Sequence, residues 1–142
     1  MKKLSSSFAK SLKREIREIP FPSLLGNRIA RLKPGLAVVS VRYKEEFTQG
    51  YGYLHGGVIA SLVDTAAAFA TRTLIEPDDK LVTLEMKINY INPAQTDIQA
   101  TAGVIHKGRR TVVIEVAVKD RKGALCAKAL VTYVIFVKGK YP

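Results

Sequence analysis

The residue types and spacings of this 142-residue chain that could do chemistry stand together between Gln49 and Ile75. His55-Gly56-Gly57 opens onto residues 58–75, which are rich in Ala, Val, Leu and Ile, contain no Pro or Gly, and carry charge only at Asp64 and Arg72. That composition predicts a buried helix with almost no solvent face. The first amides of such a helix have no intrahelical acceptor. With the macrodipole behind them they form a site for negative charge, either a bound anion or the oxygen of a polarised carbonyl. Glycine at this point lets a ligand approach the backbone closely, although Gly-Gly also makes a plain turn. Asp64 is costly on an apolar helix unless it is paired or functional. Its structural alternative is a salt bridge or a hydrogen-bonded core carboxylate. Gly56 and Asp64 are eight residues apart, hence roughly 12 Å along one helix at 1.5 Å per residue. One carbonyl cannot touch both within a single chain. If they cooperate, the helix start of one subunit meets the carboxylate of another, and two-fold symmetry gives two equal sites.

The rest of the chain predicts the frame that positions these residues. A chain of this length forms one domain and buries roughly two-thirds of its unfolded surface. Leu4, Phe8, Leu12, Ile16 and Ile19 recur at helical spacing, so Ser5 to Glu18 reads as an amphipathic helix with a basic outer face. Residues 1–20 then form an N-terminal helix and 21–142 the domain itself. The helix either docks on the domain or touches a membrane, and the commonness of basic solvated faces favours docking. Phe21-Pro22-Ser23-Leu24-Leu25-Gly26 and Pro34-Gly35 read as turns, and Leu36 to Phe47 as a half-buried strand. Glu76-Pro77-Asp78-Asp79 ends the central helix.

The second half alternates. Val82, Leu84, Met86, Ile88 and Tyr90 face one way and Thr83, Glu85, Lys87 and Asn89 the other. Similar runs follow at 98–104, 112–118 and 124–137, joined by turns at Asn92-Pro93, Lys107-Gly108-Arg109-Arg110 and Asp120-Arg121-Lys122-Gly123. The tail from Lys138 to Pro142 is expected to be loose. Short connections predict an antiparallel meander. One antiparallel sheet wrapping one central helix is an α+β architecture, and its uncovered face or edges call for an oligomer.

The net charge of +11 implies affinity for polyanions: nucleic acid, acidic membranes, or phosphate-rich molecules such as coenzyme A. The aromatic-basic interleaving of a nucleic-acid platform is absent. Cys126 is the single cysteine, so there is no internal disulfide, and a reduced, cytoplasmic compartment is expected. Asp64 and Arg72 interrupt the longest apolar run, which disfavours a membrane span. Lys10, Lys13, Arg14, Glu15 and Arg17 leave the N-terminus without the apolar core of a secretory leader. Two histidines and one cysteine lack metal-ligand spacing. No dinucleotide glycine fingerprint or nucleophile elbow is present, and His106 has no motif around it.

Leu54-His55-Gly56-Gly57, Leu62-Val63-Asp64 and the alanine-rich run after them resemble the hotdog-fold acyl-CoA thioesterases. The similar group contains the phenylacetate-pathway (PaaI-like) and 4-hydroxybenzoyl-CoA thioesterases. Leu25-Gly26, Pro34-Gly35, Ile91-Asn92-Pro93-Ala94 and Gly108-Arg109-Arg110 extend the resemblance over nearly the whole chain. It implies a sheet wrapped around the long helix, dimers with continuous sheets often paired into tetramers, and an active site at the dimer interface. It also implies roles. Gly56 would donate its amide to the thioester oxygen, with Gly57 beside it against the substrate. Asp64 of the opposite subunit would be nucleophile or general base on water. Gln49 would orient the carbonyl or the water, Thr83 would position the water, and His55 would hold the Gly-Gly loop in shape. Lys107, Arg109 and Arg110 would meet the coenzyme A phosphates, or are a solvated basic hairpin. The implied partner is an acyl-CoA substrate, with no cofactor beyond the coenzyme A that is part of it. The alternatives are a non-catalytic acyl-CoA-binding hotdog domain, a nucleic-acid or membrane-surface module, and a hotdog dehydratase, whose catalytic histidine sits in a different arrangement.

Overall fold

The computed structural model describes residues 4–140. Residues 1–3 of the expected N-terminal segment and 141–142 of the expected loose tail lie outside the described residues. Helix α1 (Ser6–Glu18) begins at Ser5, whose hydroxyl accepts from the Phe8 amide at 3.2 Å, a local cap for an otherwise orphan donor. Its apolar stripe docks on the domain, with Leu12 and Ile16 fully buried. Lys10, Lys13, Arg14 and Arg17 point outward. Glu15 accepts from the Arg72 guanidinium at 3.0 Å, tying α1 to the far end of the central helix.

Helix α2 (Pro20–Leu24) replaces the turn expected there. Proline is preset for the first helical position and loses no hydrogen bond in it, so Pro20 starts a helix that the residues after it can continue. Strand β1 (Arg28–Lys33) has no counterpart in the sequence expectation. Three of its six residues are basic, and a bulge between Ile29 and Arg31 breaks the alternation that would have disclosed it. Strand β2 (Leu36–Val41) is shorter than expected, because the chain enters a single 3-10 turn at Glu45–Phe47.

Helix α3 (Gly56–Arg72) is followed by β3 (Lys80–Tyr90), β4 (Ile98–Lys107), β5 (Thr111–Asp120) and β6 (Leu125–Phe136). All six strands form one antiparallel sheet in the order β1-β2-β4-β5-β6-β3. β4, β5 and β6 are the expected meander. β3 departs from it: it pairs with β6 at the far edge rather than with β4. Residues 91–97 do not turn in the plane of the sheet but cross its end. The Ile91 amide bonds to the Cys126 carbonyl and the Leu54 amide to the Ala94 carbonyl, each at 2.8 Å.

The sheet curves around α3 and buries Leu62, Val63, Ala66, Ala67 and Ala70 completely. It covers one side of the helix only. Gly57, Ala60, Ser61, Asp64 and Ala68 remain exposed or half-buried, so the expected absence of a solvent face does not hold for the single chain. Composition does not disclose this face because most of its residues are small, and alanine counts as apolar while needing little covering.

Candidate active site

The start of α3 is capped by its own neighbour in sequence. His55 is the N-cap, and its Nδ1 accepts from the Gly57 amide at 2.8 Å. An imidazole that accepts at Nδ1 carries its proton on Nε2, and Nδ1 is occupied by the loop. Both following positions leave little room for a side chain. A Cβ on Gly57 would lie 2.9 Å from His55 Nδ1, and one on Gly56 would lie 3.2 Å from the Tyr90 ring. The Tyr90 hydroxyl donates to the Gly56 carbonyl at 2.9 Å. Because the Gly57 amide belongs to the cap, Gly56 is the glycine whose amide has no acceptor among the described residues. It borders a cavity of about 360 Å³ that Gln49, Leu54, Ile59, Tyr90 and Asn92 also line. The Gln49 Oε1 accepts from the Tyr51 amide, which turns the Gln49 NH₂ into the group left to meet a ligand.

Asp64, two turns further along α3, is half-buried at the margin of the face that the sheet leaves open, against β3 and β6. No cation pairs with it among the described residues; two hydroxyls do. Thr83 Oγ1 donates to Asp64 Oδ1 at 2.8 Å and the Tyr133 hydroxyl to the same oxygen at 2.7 Å. The salt-bridge alternative for Asp64 is thereby set aside in favour of a hydroxyl-held carboxylate. Tyr133 is 3% exposed. Burial, with the Asp64 charge beside it, pushes its phenol well above the ordinary tyrosine range, so it stays protonated and remains a donor.

Thr83 reaches Asp64 because of an irregularity in β3. Thr83 is opposite Tyr133 and Glu85 is opposite Thr132, with Leu84 the extra residue between them. A one-residue insertion reverses which side chains face the core. Strict alternation places Thr83 opposite in sense to Met86 and Ile88; the bulge puts all three on the helix side. Their partners Tyr133, Val131 and Ala129 confirm it, being alternate residues of β6 and all buried. Tyr133 carries no signal of a site in the sequence, since a tyrosine in a run of Val and Ile reads as core.

Lys107 belongs to the same cross-strand row as Val112 and Tyr133, which places the basic turn at the Asp64 end of the sheet. Arg109 and Arg110 line a groove of about 390 Å³ with Phe136 and Lys140. None of Lys107, Arg109 and Arg110 forms an ion pair among the described residues. His106, one residue from a bulge in β4, is exposed and outside both clusters.

A family model described as the thioesterase superfamily matches residues 51–127, a span that includes Gly56, Asp64 and Thr83. The chain belongs to the thioesterase superfamily. Its fold is the hotdog, and its reaction class is thioester hydrolysis. It is similar to a 1,4-dihydroxy-2-naphthoyl-CoA hydrolase of Listeria monocytogenes, at 34% identity over 117 residues, covering 82% of this chain and 95% of that one. A thioesterase family protein from Silicibacter pomeroyi superposes with a TM-score of 0.85 at 28% identity, covering 91% of this chain and 98% of that one. The PaaI protein of E. coli shares the fold, with a TM-score of 0.82 at 24% identity and coverage of 91% and 94%. Among the described residues of this chain, no helix is long and apolar enough to cross a membrane.

Proposed function

We propose that this protein hydrolyses an acyl- or aryl-CoA thioester to the free acid and coenzyme A. The observation that carries it is the Asp64 carboxylate, held by hydroxyls rather than by a cation on the open side of a helix whose first free amide is at Gly56. A carboxylate in that setting is available for chemistry, and a helix-start amide is suited to a developing oxyanion. The naphthoyl-CoA hydrolase relative supports coenzyme A as the leaving group.

The two groups are at different ends of one chain's site, so the working unit is a dimer. β3 is an edge strand, with Tyr90 and the Gly56 cavity at one end and Thr83 with Asp64 at the other. Antiparallel pairing of two β3 edges about a two-fold axis brings the Gly56 end of one chain to the Asp64 end of the other and satisfies the open ladder. Gln49 then orients the thioester carbonyl from the Gly56 side, and Thr83 and Asp64 face it from across the axis. Asp64 either takes a proton from water as the water oxygen attacks the carbonyl carbon, or attacks that carbon itself to give a mixed anhydride that water opens. In both routes the C–S bond breaks, the thiolate leaves and takes up a proton, and the acyl group becomes the free acid with one water consumed, its hydroxyl balancing the acid and its proton the thiol. Trapping an acyl group on Asp64 in a single turnover separates the two. Lys107, Arg109 and Arg110 bind the phosphates of the coenzyme A. A dimer of dimers is compatible with the same pairing, and size-exclusion chromatography with light scattering distinguishes two chains from four.

The direct test is thiol release from a panel of aliphatic and aromatic CoA thioesters. Turnover of at least one is expected. Tight binding of CoA thioesters with no turnover across the panel would replace this function with ligand binding alone.

A further inference from the structure

Both hydroxyls on Asp64 converge on one of its two oxygens. Thr83 Oγ1 is 2.8 Å and the Tyr133 hydroxyl 2.7 Å from Oδ1, while Oδ2 has no donor among the described residues. The Tyr133 hydroxyl also lies 2.8 Å from the Asp64 backbone carbonyl, so it sits astride the backbone and side chain of a single residue. A phenol has one proton to give. The charged oxygen is the stronger acceptor, and the carbonyl nearby limits where the hydroxyl can go.

We propose that Tyr133 is a positioning residue which, together with Thr83, fixes Asp64 by Oδ1 and leaves Oδ2 as the single atom through which this aspartate acts. The proposal rests on the assignment of Asp64 as the acting carboxylate. A carboxylate on a half-buried helix face would otherwise rotate about its last torsion and present either oxygen. Reaction geometry rewards a group already held near its attack position. Two donors on one oxygen define both the rotamer and the exposed lone pairs of the other. They arrive from adjacent strands: Thr83 of β3 and Tyr133 of β6 are register partners, Thr83 being brought to the helix side by the bulge at Leu84. The two donors differ in burial. Thr83 is on the edge strand β3 and is exposed in the single chain, whereas Tyr133 is buried in the core and keeps its proton.

The test is Tyr133→Phe, which removes one oxygen and keeps the ring, assayed on a CoA thioester that the parent protein hydrolyses. A lost hydrogen bond to a charged group predicts a fall in kcat of about tenfold or more, with KM within about twofold. Thr83→Ala should lower kcat in the same way, and the double variant should fall toward the level of Asp64→Ala. A crystal structure of Tyr133→Phe should show the Asp64 carboxylate rotated. Should Tyr133→Phe lose its fold by circular dichroism, Thr83→Ala, which truncates a side chain outside the core, still carries the claim and must lower kcat at constant KM. Parent-like kcat in folded Tyr133→Phe, or a raised KM at unchanged kcat, overturns the positioning role while Asp64→Ala remains inactive. An active Asp64→Ala overturns instead the assignment of Asp64 on which the proposal rests.

Discussion

The two ends of the site on α3 are made in different ways. At Gly56 the helix start itself is local: the cap is His55, one residue before, and only Tyr90, packed on Gly56 from β3, comes from far along the chain. At Asp64 everything is distant. Its hydroxyl partners are 19 and 69 residues away in the chain and arrive on two strands. A locally built site can be read as a motif and damaged by a single methyl group. One built from register depends on the whole sheet, and its individual contacts are separable.

The largest effect should come from the distant end. Asp64→Ala is expected to lower kcat by about a thousandfold or more, while circular dichroism and oligomer size stay unchanged. Hydrolysis at the parent rate would break the contrast, since the hydroxyl cluster would then be only a packed polar contact. The local end should be brittle. Gly56→Ala places a Cβ 3.2 Å from the Tyr90 ring, so either the ring or the helix start must shift. A loss in kcat of at least about tenfold is expected, set against the roughly hundredfold or greater cost of removing an oxyanion donor outright. Tolerance of the alanine would mean that the Tyr90 ring yields to the added methyl without displacing the Gly56 amide.

Smaller effects follow from the periphery of each end. Replacing Lys107, Arg109 and Arg110 with alanine should raise KM several-fold at low ionic strength and flatten its dependence on salt, because exposed charges are screened over about 10 Å at 0.1 M. Kinetics between 20 and 300 mM salt (roughly the span over which that screening changes) test this, and an unaltered salt slope would detach the basic turn from the coenzyme A phosphates. The smallest change should be in His55→Ala. It removes a cap worth about 1 kcal/mol, visible as a lower urea midpoint, with a partial fall in kcat as the first turn loosens. Complete inactivation without loss of stability would instead make His55 a chemical participant.

The sequence was most informative where structure follows from neighbours. The apolar run, the His-Gly-Gly start and the four alternating segments after the helix determined the α+β class, the central helix and its first turn. The spacing of Gly56 and Asp64 along one helix already required a second chain if the two act together. β1 was hidden because its basic residues and bulge erase the period-two pattern. The position of β3 at the far edge could not be read from a short connection, because residues 91–97 cross the end of the sheet instead of reversing within it. What only the tertiary structure decided is the environment of Asp64. Alternation assigns Thr83 to the wrong face, and one extra residue at Leu84 turns it toward the helix, opposite a tyrosine that composition counts as core. Register is a property of pairs of strands, set by packing across the whole sheet, so no single stretch of sequence contains it.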